Sequence, residues 1–441
     1  MSEANPPVVV LDDLDAPRFD EGVQAILDSV GPLAEALELR VDPIVDQAVA
    51  EVGLDDLGEA SEDAAFRSRL GVLLHAWTHD ARLSPMGHVS LHTLSVQLVR
   101  NRLLVRDLLR RHPEIHDIEI AAPIVVAGLP RTGTTHLHNL LAADPALRSL
   151  PYWESLEPVA LPGDEPDDPE RPGGASTVPR IERARTALDF VNAALPHLRR
   201  MHDMTPTHVH EEIQLLAIDA STMFFETMAP IPTWRDAYRA ADQTAHYRYL
   251  RTVLQVLTFL RGGERWVLKS PQHLEQFGPL LEVFPDAVVV VTHRDPVAVS
   301  ASMATMVTYT SRLQLEQVDP VQVGGYWIDR VGDLLDACTA DRDLLPADRS
   351  IDVRFHEFMA DDLGTVEQIY ALADQPLDDA ARAAHRTYLD GHQRDRHGRV
   401  AYSLEPFGTD APTVAARHAA YCRRFGVGEA ATATSPAPGP A

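Results

Sequence analysis

The sequence predicts an α/β fold with three layers and a parallel sheet, flanked by largely helical N-terminal and C-terminal regions. Three observations predict it. Four short apolar runs bounded by turn residues, Pro123 to Gly128, Arg265 to Lys269, Ala287 to Thr292 and Ile351 to Phe355, read as buried strands. Stretches of helical apolar spacing, Thr134 to Ala143 and Val297 to Met306 among them, lie between these runs and are long enough for right-handed crossovers. The first ~115 residues keep a helical period: Leu91, Leu94, Leu98, Val105 and Leu108 step by three, four or seven, and His112-Pro113 stops the run.

The chain divides accordingly into a helical region over 1–120, an α/β core over 121–360 and a helical region over 361–428. The Ala-, Thr-, Pro- and Ser-rich tail, 429–441, is expected to be disordered. Inside the core, 162–179 is rich in Pro, Gly, Asp and Glu and reads as a solvated loop. With 441 residues, the chain exceeds the usual growth of a single core, and one elaborated core with helical attachments fits it.

Composition narrows the function classes. Thirty-nine Lys and Arg against 65 Asp and Glu leave a net charge of −26, which repels a polyphosphate backbone and excludes nucleic acid as the main partner. An anionic ligand must therefore be held by backbone amides and a few local cations. The two cysteines, Cys338 and Cys422, are far apart and support neither a disulfide framework nor a metal site. Met1 to Asp20 is acidic where a signal peptide starts basic, and no apolar run approaches ~20 residues, so the expectation is a cytoplasmic protein with no transmembrane segment. Nothing in the sequence fixes the oligomeric state.

The segment Pro123-Ile-Val-Val-Ala-Gly128-Leu-Pro-Arg131-Thr-Gly-Thr-Thr135-His-Leu137 is an apolar strand, a glycine-containing turn and a helix start. Amides of the first helical turn and the positive end of its dipole suit an oxyanion, and Arg131 adds a forked cation. A Walker A loop needs Gly-Lys followed by Ser or Thr, and Thr134 stands where the lysine belongs. That disfavours the alternative of a P-loop phosphotransferase, which also needs a Mg²⁺-holding carboxylate at a second strand end.

Two further strand ends carry chemistry. Asp286-Ala-Val-Val-Val-Val-Thr-His-Arg294-Asp-Pro-Val-Ala-Val-Ser-Ala-Ser302 places an arginine at the end of a strand and a serine on the following helix, both able to reach one phosphate. Arg265-Trp-Val-Leu-Lys269-Ser-Pro-Gln-His273 runs a third strand into a loop with a lysine at its end. No Gly-x-Ser-x-Gly elbow occurs, and Ser270 and Ser300 lack a visible triad.

Read together, the loop Gly128 to Thr135 resembles the 5′-phosphosulfate loop of sulfotransferases, especially the tyrosylprotein and bacterial branches, which carry arginine where cytosolic animal enzymes carry lysine. Arg294 and Ser302 resemble that family's 3′-phosphate element. The resemblance implies a P-loop-type αβα core and 3′-phosphoadenosine-5′-phosphosulfate as sulfuryl donor, with 3′-phosphoadenosine 5′-phosphate as product and no metal. It implies that Arg131, Thr132, Gly133, Thr134 and Thr135 hold the 5′-phosphosulfate, that Arg294 and Ser302 hold the 3′-phosphate, and that Lys269 stands near the bridging oxygen.

The acceptor is expected to be a hydroxyl of a small molecule, lipid or glycan. Its proton needs a base. Glu154 resembles the glutamate that tyrosylprotein sulfotransferases carry after the phosphate-loop helix, and His273 the histidine that cytosolic animal enzymes carry after the lysine strand. The run His208-Val-His210-Glu211-Glu212 reads as the start of a helix, whose neighbouring residues point in different directions and make no metal site; it stays an acceptor-side candidate. His397-Gly398-Arg399 and Tyr402 to Gly408 resemble a C-terminal stretch of bacterial members, where a basic loop closes over the nucleotide. A relative that binds the donor without turning it over would keep the same donor residues.

Overall fold

A computed structural model of the chain describes residues 7–164, 176–392 and 396–428. Its centre is a parallel sheet of β1 (Ile124–Ala127), β2 (Leu147–Arg148), β3 (Arg265–Ser270), β4 (Val288–His293) and β5 (Ser350–Arg354), ordered β2-β3-β1-β4-β5. The runs read as β1 and β4 are central strands, covered on both faces, where no polar alternation is needed, whereas the run from Ile351 to Phe355, expected to be buried, forms the edge strand β5 with Asp352 exposed. Strand β2, missed in the sequence, has two residues and pairs only with Arg265 and Trp266.

Alternation along the strands builds two cores. Val125, Ala127, Leu268, Val289 and Val291 face one, and Ile124, Val126, Val267, Val288 and Val290 face the other. The second is closed by Leu137, Leu140 and Leu141 of the helix Thr134–Ala142 and by Val366, Ile369 and Tyr370 of Asp362–Leu372. The first is larger and receives the helices Pro85–Arg111, Thr244–Arg261, Pro296–Gln314 and Pro320–Asp341. Helices on both faces of a parallel sheet make the three-layer αβα arrangement.

The N-terminal portion is helical, with Glu21–Ser29, Gly31–Ala36, Val41–Val52, Ala60–His79 and Pro85–Arg111, the last ending at a His112 C-cap before Pro113. The helix after β4 is longer than its sequence pattern, Pro296–Gln314, because Val307 and Leu313 continue its buried face. Asp295 caps it, accepting from the Val297 amide at 3.0 Å. A helix, Thr177–Ala194, already occupies the end of the segment read as a loop, while 165–175 of that loop and the tail 429–441 lie outside the described residues. Among the described residues no helix is long and apolar enough to cross a membrane.

Candidate active site

Register places the functional ends together. Ala127 is level with Ser270 of β3 and Val291 of β4, so the loops that follow β1, β3 and β4 leave the sheet at one carboxyl edge. At that edge Gly128 has no room for a side chain: a Cβ there would stand 1.9 Å from Thr292 Oγ1 and 2.8 Å from Thr134 Cγ2. The space is taken by a hydroxyl chain. Thr132 Oγ1 donates to the Leu129 carbonyl at 2.6 Å, so Thr292, 2.7 Å away, donates to Thr132. Arg131 and Gly133 both have left-handed backbones, φ 71° and 88°, which turn the chain into the first turn of Thr134–Ala142. Thr132 and Thr134 are buried and Thr135 is exposed.

Arg131 and Arg294 meet over this turn. Arg294 Nη1 donates to the Arg131 carbonyl at 2.6 Å, and its guanidinium lies 4.0 Å from the Phe355 ring centroid. Burial first, and then the Arg131 charge, lower the pKa of Arg294. Arg131 Nη1 donates to the Met201 carbonyl at 2.6 Å, while its Nε is buried with no partner among the described residues. Ser302 lies on the helix after β4, its hydroxyl likewise buried and without a partner among the described residues. The C-terminal stretch comes to the same place: His397 Nε2 is 2.9 Å from Asp203, with Arg396 on the same carboxylate, and the Tyr402 ring lies 6.0 Å from the Arg131 guanidinium.

Lys269, only 4 % exposed, ion-pairs through Nζ with Glu211, and its amide donates to Glu212 Oε2 at 2.8 Å. Glu212 also takes His273 Nε2 at 2.5 Å, and His273 Nδ1 is 2.8 Å from the Tyr247 hydroxyl. Burial alone would raise the pKa of Glu212; the His273 bond and charge and backbone amides outweigh it and hold the carboxyl below its usual range. His273 is fully buried with both ring nitrogens engaged.

The reading of His208 to Glu212 as a helix start holds for Glu212, the N-cap of the helix Ile213–Ala217, and needs correction for the histidines. His208 to His210 run along the chain after β2: Pro151 bridges Val209, the His210 amide donates to the Leu150 carbonyl at 2.7 Å and the Tyr152 amide to the His208 carbonyl at 3.0 Å. In an extended segment residues two apart share a face, so His208 and His210 point the same way. Their rings stand with Nε2 of His208 3.0 Å from Nδ1 of His210, and both pack on Tyr152 at 5.2 and 4.8 Å. His138 and His202 belong to the same neighbourhood. Burial first, with Lys269 next for His138 and with His208 and then Lys269 for His202, brings each down to about 3.

Glu154 stands apart from this group. It is 1 % exposed, with Oε2 accepting from Arg148 Nη2 at 2.7 Å and Oε1 facing Arg261 Nη1 at 2.9 Å. Both carboxylate oxygens are thus committed to guanidinium groups, and Arg148 itself rests on the Trp266 ring at 4.5 Å. The sequence reading missed Thr292 and Tyr247 as partners of the site, and named Glu212 only within the acceptor-side run. Thr292 alone carried a signal, as the first hydroxyl after four valines in β4. Among the described residues no group of His, Cys, Asp and Glu could hold a metal ion.

The carboxyl edge of the parallel sheet thus brings Arg131, Lys269 and Arg294 to the strand ends beside a glycine turn, an arrangement suited to an anionic group. The Sulfotransferase family profile matches residues 123–379. Sulfotransferase STF1 from Mycobacterium tuberculosis H37Rv is 31% identical, with a TM-score of 0.73 over 86% of this chain and 98% of STF1. Sulfotransferase STF9 from Mycobacterium avium is 26% identical, with a TM-score of 0.77 over 89% of this chain and 98% of STF9. No curated protein sequence matches. The chain belongs to the sulfotransferase family.

Proposed function

We propose that the protein moves a sulfuryl group from 3′-phosphoadenosine-5′-phosphosulfate to a hydroxyl of a small-molecule, lipid or glycan acceptor. One observation carries the choice of donor: Arg131, whose carbonyl accepts from Arg294 at the edge of β4, and Ser302, on the helix that follows β4, each keep a buried polar atom with no partner among the described residues. A buried guanidinium nitrogen and a buried hydroxyl without partners suit anionic oxygens. The donor has two such groups, and its binding needs no metal.

In this reading the amides of the turn and the helix Thr134–Ala142, with Arg131, hold the 5′-phosphosulfate. Arg294 and Ser302 hold the 3′-phosphate. When bound, the donor supplies the sulfuryl group and a phosphate leaving group. Lys269 gives up Glu211 and turns its ammonium to the phosphate oxygen on which negative charge grows. Glu212 and His273 fix the Lys269 backbone from behind, so His273 is a positioning residue. Glu154 holds Arg148 and Arg261 and thereby the chain that follows β2, rather than taking a proton.

The test uses donor labelled in its sulfur, offered with lipid and small-molecule extracts. Label should move to an organic product with wild type and not with Lys269→Ala. Transfer of phosphate from ATP with Mg²⁺ and none of sulfur would contradict the proposal.

A further inference from the structure

We propose that His210 is the catalytic residue that takes the acceptor's hydroxyl proton, through Nε2, and that His208 is the positioning residue that fixes its tautomer. This rests on the reading of the protein as a sulfuryl transferase from a nucleotide phosphosulfate.

The tautomers follow from the partners. His208 Nδ1 is 2.5 Å from the Thr205 carbonyl, and a carbonyl only accepts, so Nδ1 carries the proton; the Thr205 amide, at 3.2 Å, is the weaker approach. A neutral His208 then has a bare Nε2, which accepts from His210 Nδ1 at 3.0 Å. That puts the proton of a neutral His210 on Nδ1 and leaves Nε2 with a free lone pair. This nitrogen is buried and has no partner among the described residues. A buried acceptor atom without a donor calls for one, and a hydroxyl is a donor.

The surroundings keep the pair neutral and near the chemistry. His138 of the helix Thr134–Ala142, His202, His208 and Lys269 all act on His210, and Tyr152 covers its ring. Glu211, the next residue, is the ion-pair partner of Lys269. Burial first, then the neighbouring histidines and the Lys269 charge, all of which oppose a further positive charge there, lower the pKa of His210 far below its ordinary value, and burial does the same, more modestly, to His208. His210 is thus neutral at neutral pH, and what it offers the acceptor hydroxyl is the unpartnered lone pair on Nε2, one residue from the ion-pair partner of Lys269.

The step balances. The acceptor O–H bond breaks and its proton goes to His210 Nε2. The electron pair of that bond forms the new oxygen–sulfur bond. The pair of the breaking sulfur–oxygen bond stays on the departing phosphate, beside Lys269. The imidazolium charge on His210 is shared through Nδ1–H with His208, which is part-exposed and returns the proton to solvent.

The experiment combines two readouts on the full chain. Nitrogen-15 NMR of labelled histidines, with His210 assigned by the signals lost in His210→Gln, should show the neutral Nδ1–H tautomer at pH 7. In His208→Ala, His210 should populate Nε2–H as well. Turnover is read with sulfur-labelled donor, 1-octanol and 4-nitrophenol as acceptors, and inorganic sulfate release as transfer to water. His210→Gln should lose ~10²–10⁴-fold in rate with the alcohol or water and less with the phenol, whose proton leaves readily, while adenosine 3′,5′-bisphosphate binds as in wild type. An Nε2–H tautomer at His210 in wild type, or a His210→Gln rate within about threefold of wild type, overturns the proposal. Failure of wild type to bind adenosine 3′,5′-bisphosphate overturns the proposed function instead, and the tautomer is read independently of it.

Discussion

Replacing Gly128 by alanine tests the packing that shapes the turn after β1. The new methyl would stand 1.9 Å from Thr292 Oγ1 and 2.8 Å from Thr134 Cγ2, so one of the two threonines or the turn itself must move. Overpacking of this kind costs ~1–3 kcal/mol, and the Thr292 to Thr132 hydroxyl bond it breaks is worth about 1 kcal/mol more. A destabilisation of roughly 2–4 kcal/mol is expected by urea unfolding, with adenosine 3′,5′-bisphosphate affinity falling at least ~10-fold because the displaced amides line the turn. Thr292→Ala removes the closest clashing atom, at a cost of about 1 kcal/mol when introduced alone. The double variant should therefore be more stable than the sum of the single variants by roughly 1–2 kcal/mol, with rescue incomplete because Thr134 remains. Additive effects, or a Gly128→Ala protein within about 0.5 kcal/mol of wild type, would refute the crowding argument.

Arg131→Ala and Lys269→Ala should stay folded, with a lowered urea midpoint for Lys269→Ala because Glu211 loses its ion-pair partner, and lose on the order of 10²–10³ in transfer rate, since each removes a charge at the proposed donor site. Glu154→Gln should cost about 2 kcal/mol in the same unfolding assay by weakening the buried pairing with Arg148 and Arg261, with the rate kept within about tenfold. A rate collapse at unchanged stability would instead make Glu154 the base. His138, held near 3 in the fold against an ordinary value of 6.5, contributes stability that is complete above about pH 6.5 and lost as pH falls toward 3. Between about pH 7.5 and 5.5, His138→Gln should lose less stability than wild type by about 1 kcal/mol, and parallel losses would contradict the buried neutral imidazole.

The sheet was legible because its central strands are covered on both faces, so β1 and most of β4 are apolar runs and β3 has an apolar centre, Trp266 to Leu268. The residues proposed to hold the donor stand out for a related reason: Gly128 to Thr135 and Arg294 to Ser302 are contiguous with those strands, and their geometry is local. The partners do not. Thr132 meets Thr292 across 160 positions, and Glu154 meets Arg261 at the end of another helix, pairings that no local pattern announces. His208 and His210 were misread because acidic residues precede the helix at Ile213, and only the bridge from Pro151 to Val209 makes the segment extended. Two histidines two positions apart share a face in a strand and diverge in a helix, so the same letters gave opposite conclusions.

The central claim is that the site grips a nucleotide bearing a 3′-phosphate. Calorimetric titration without Mg²⁺ of adenosine 3′,5′-bisphosphate and of adenosine 5′-monophosphate, into wild type and Arg294→Ala, tests it directly. A charge-assisted arginine–phosphate contact of ~1.5–3 kcal/mol corresponds to a preference of about 10- to 100-fold for the bisphosphate in wild type. In Arg294→Ala that preference should shrink to a few-fold. Equal affinity of wild type for the two nucleotides would contradict the account.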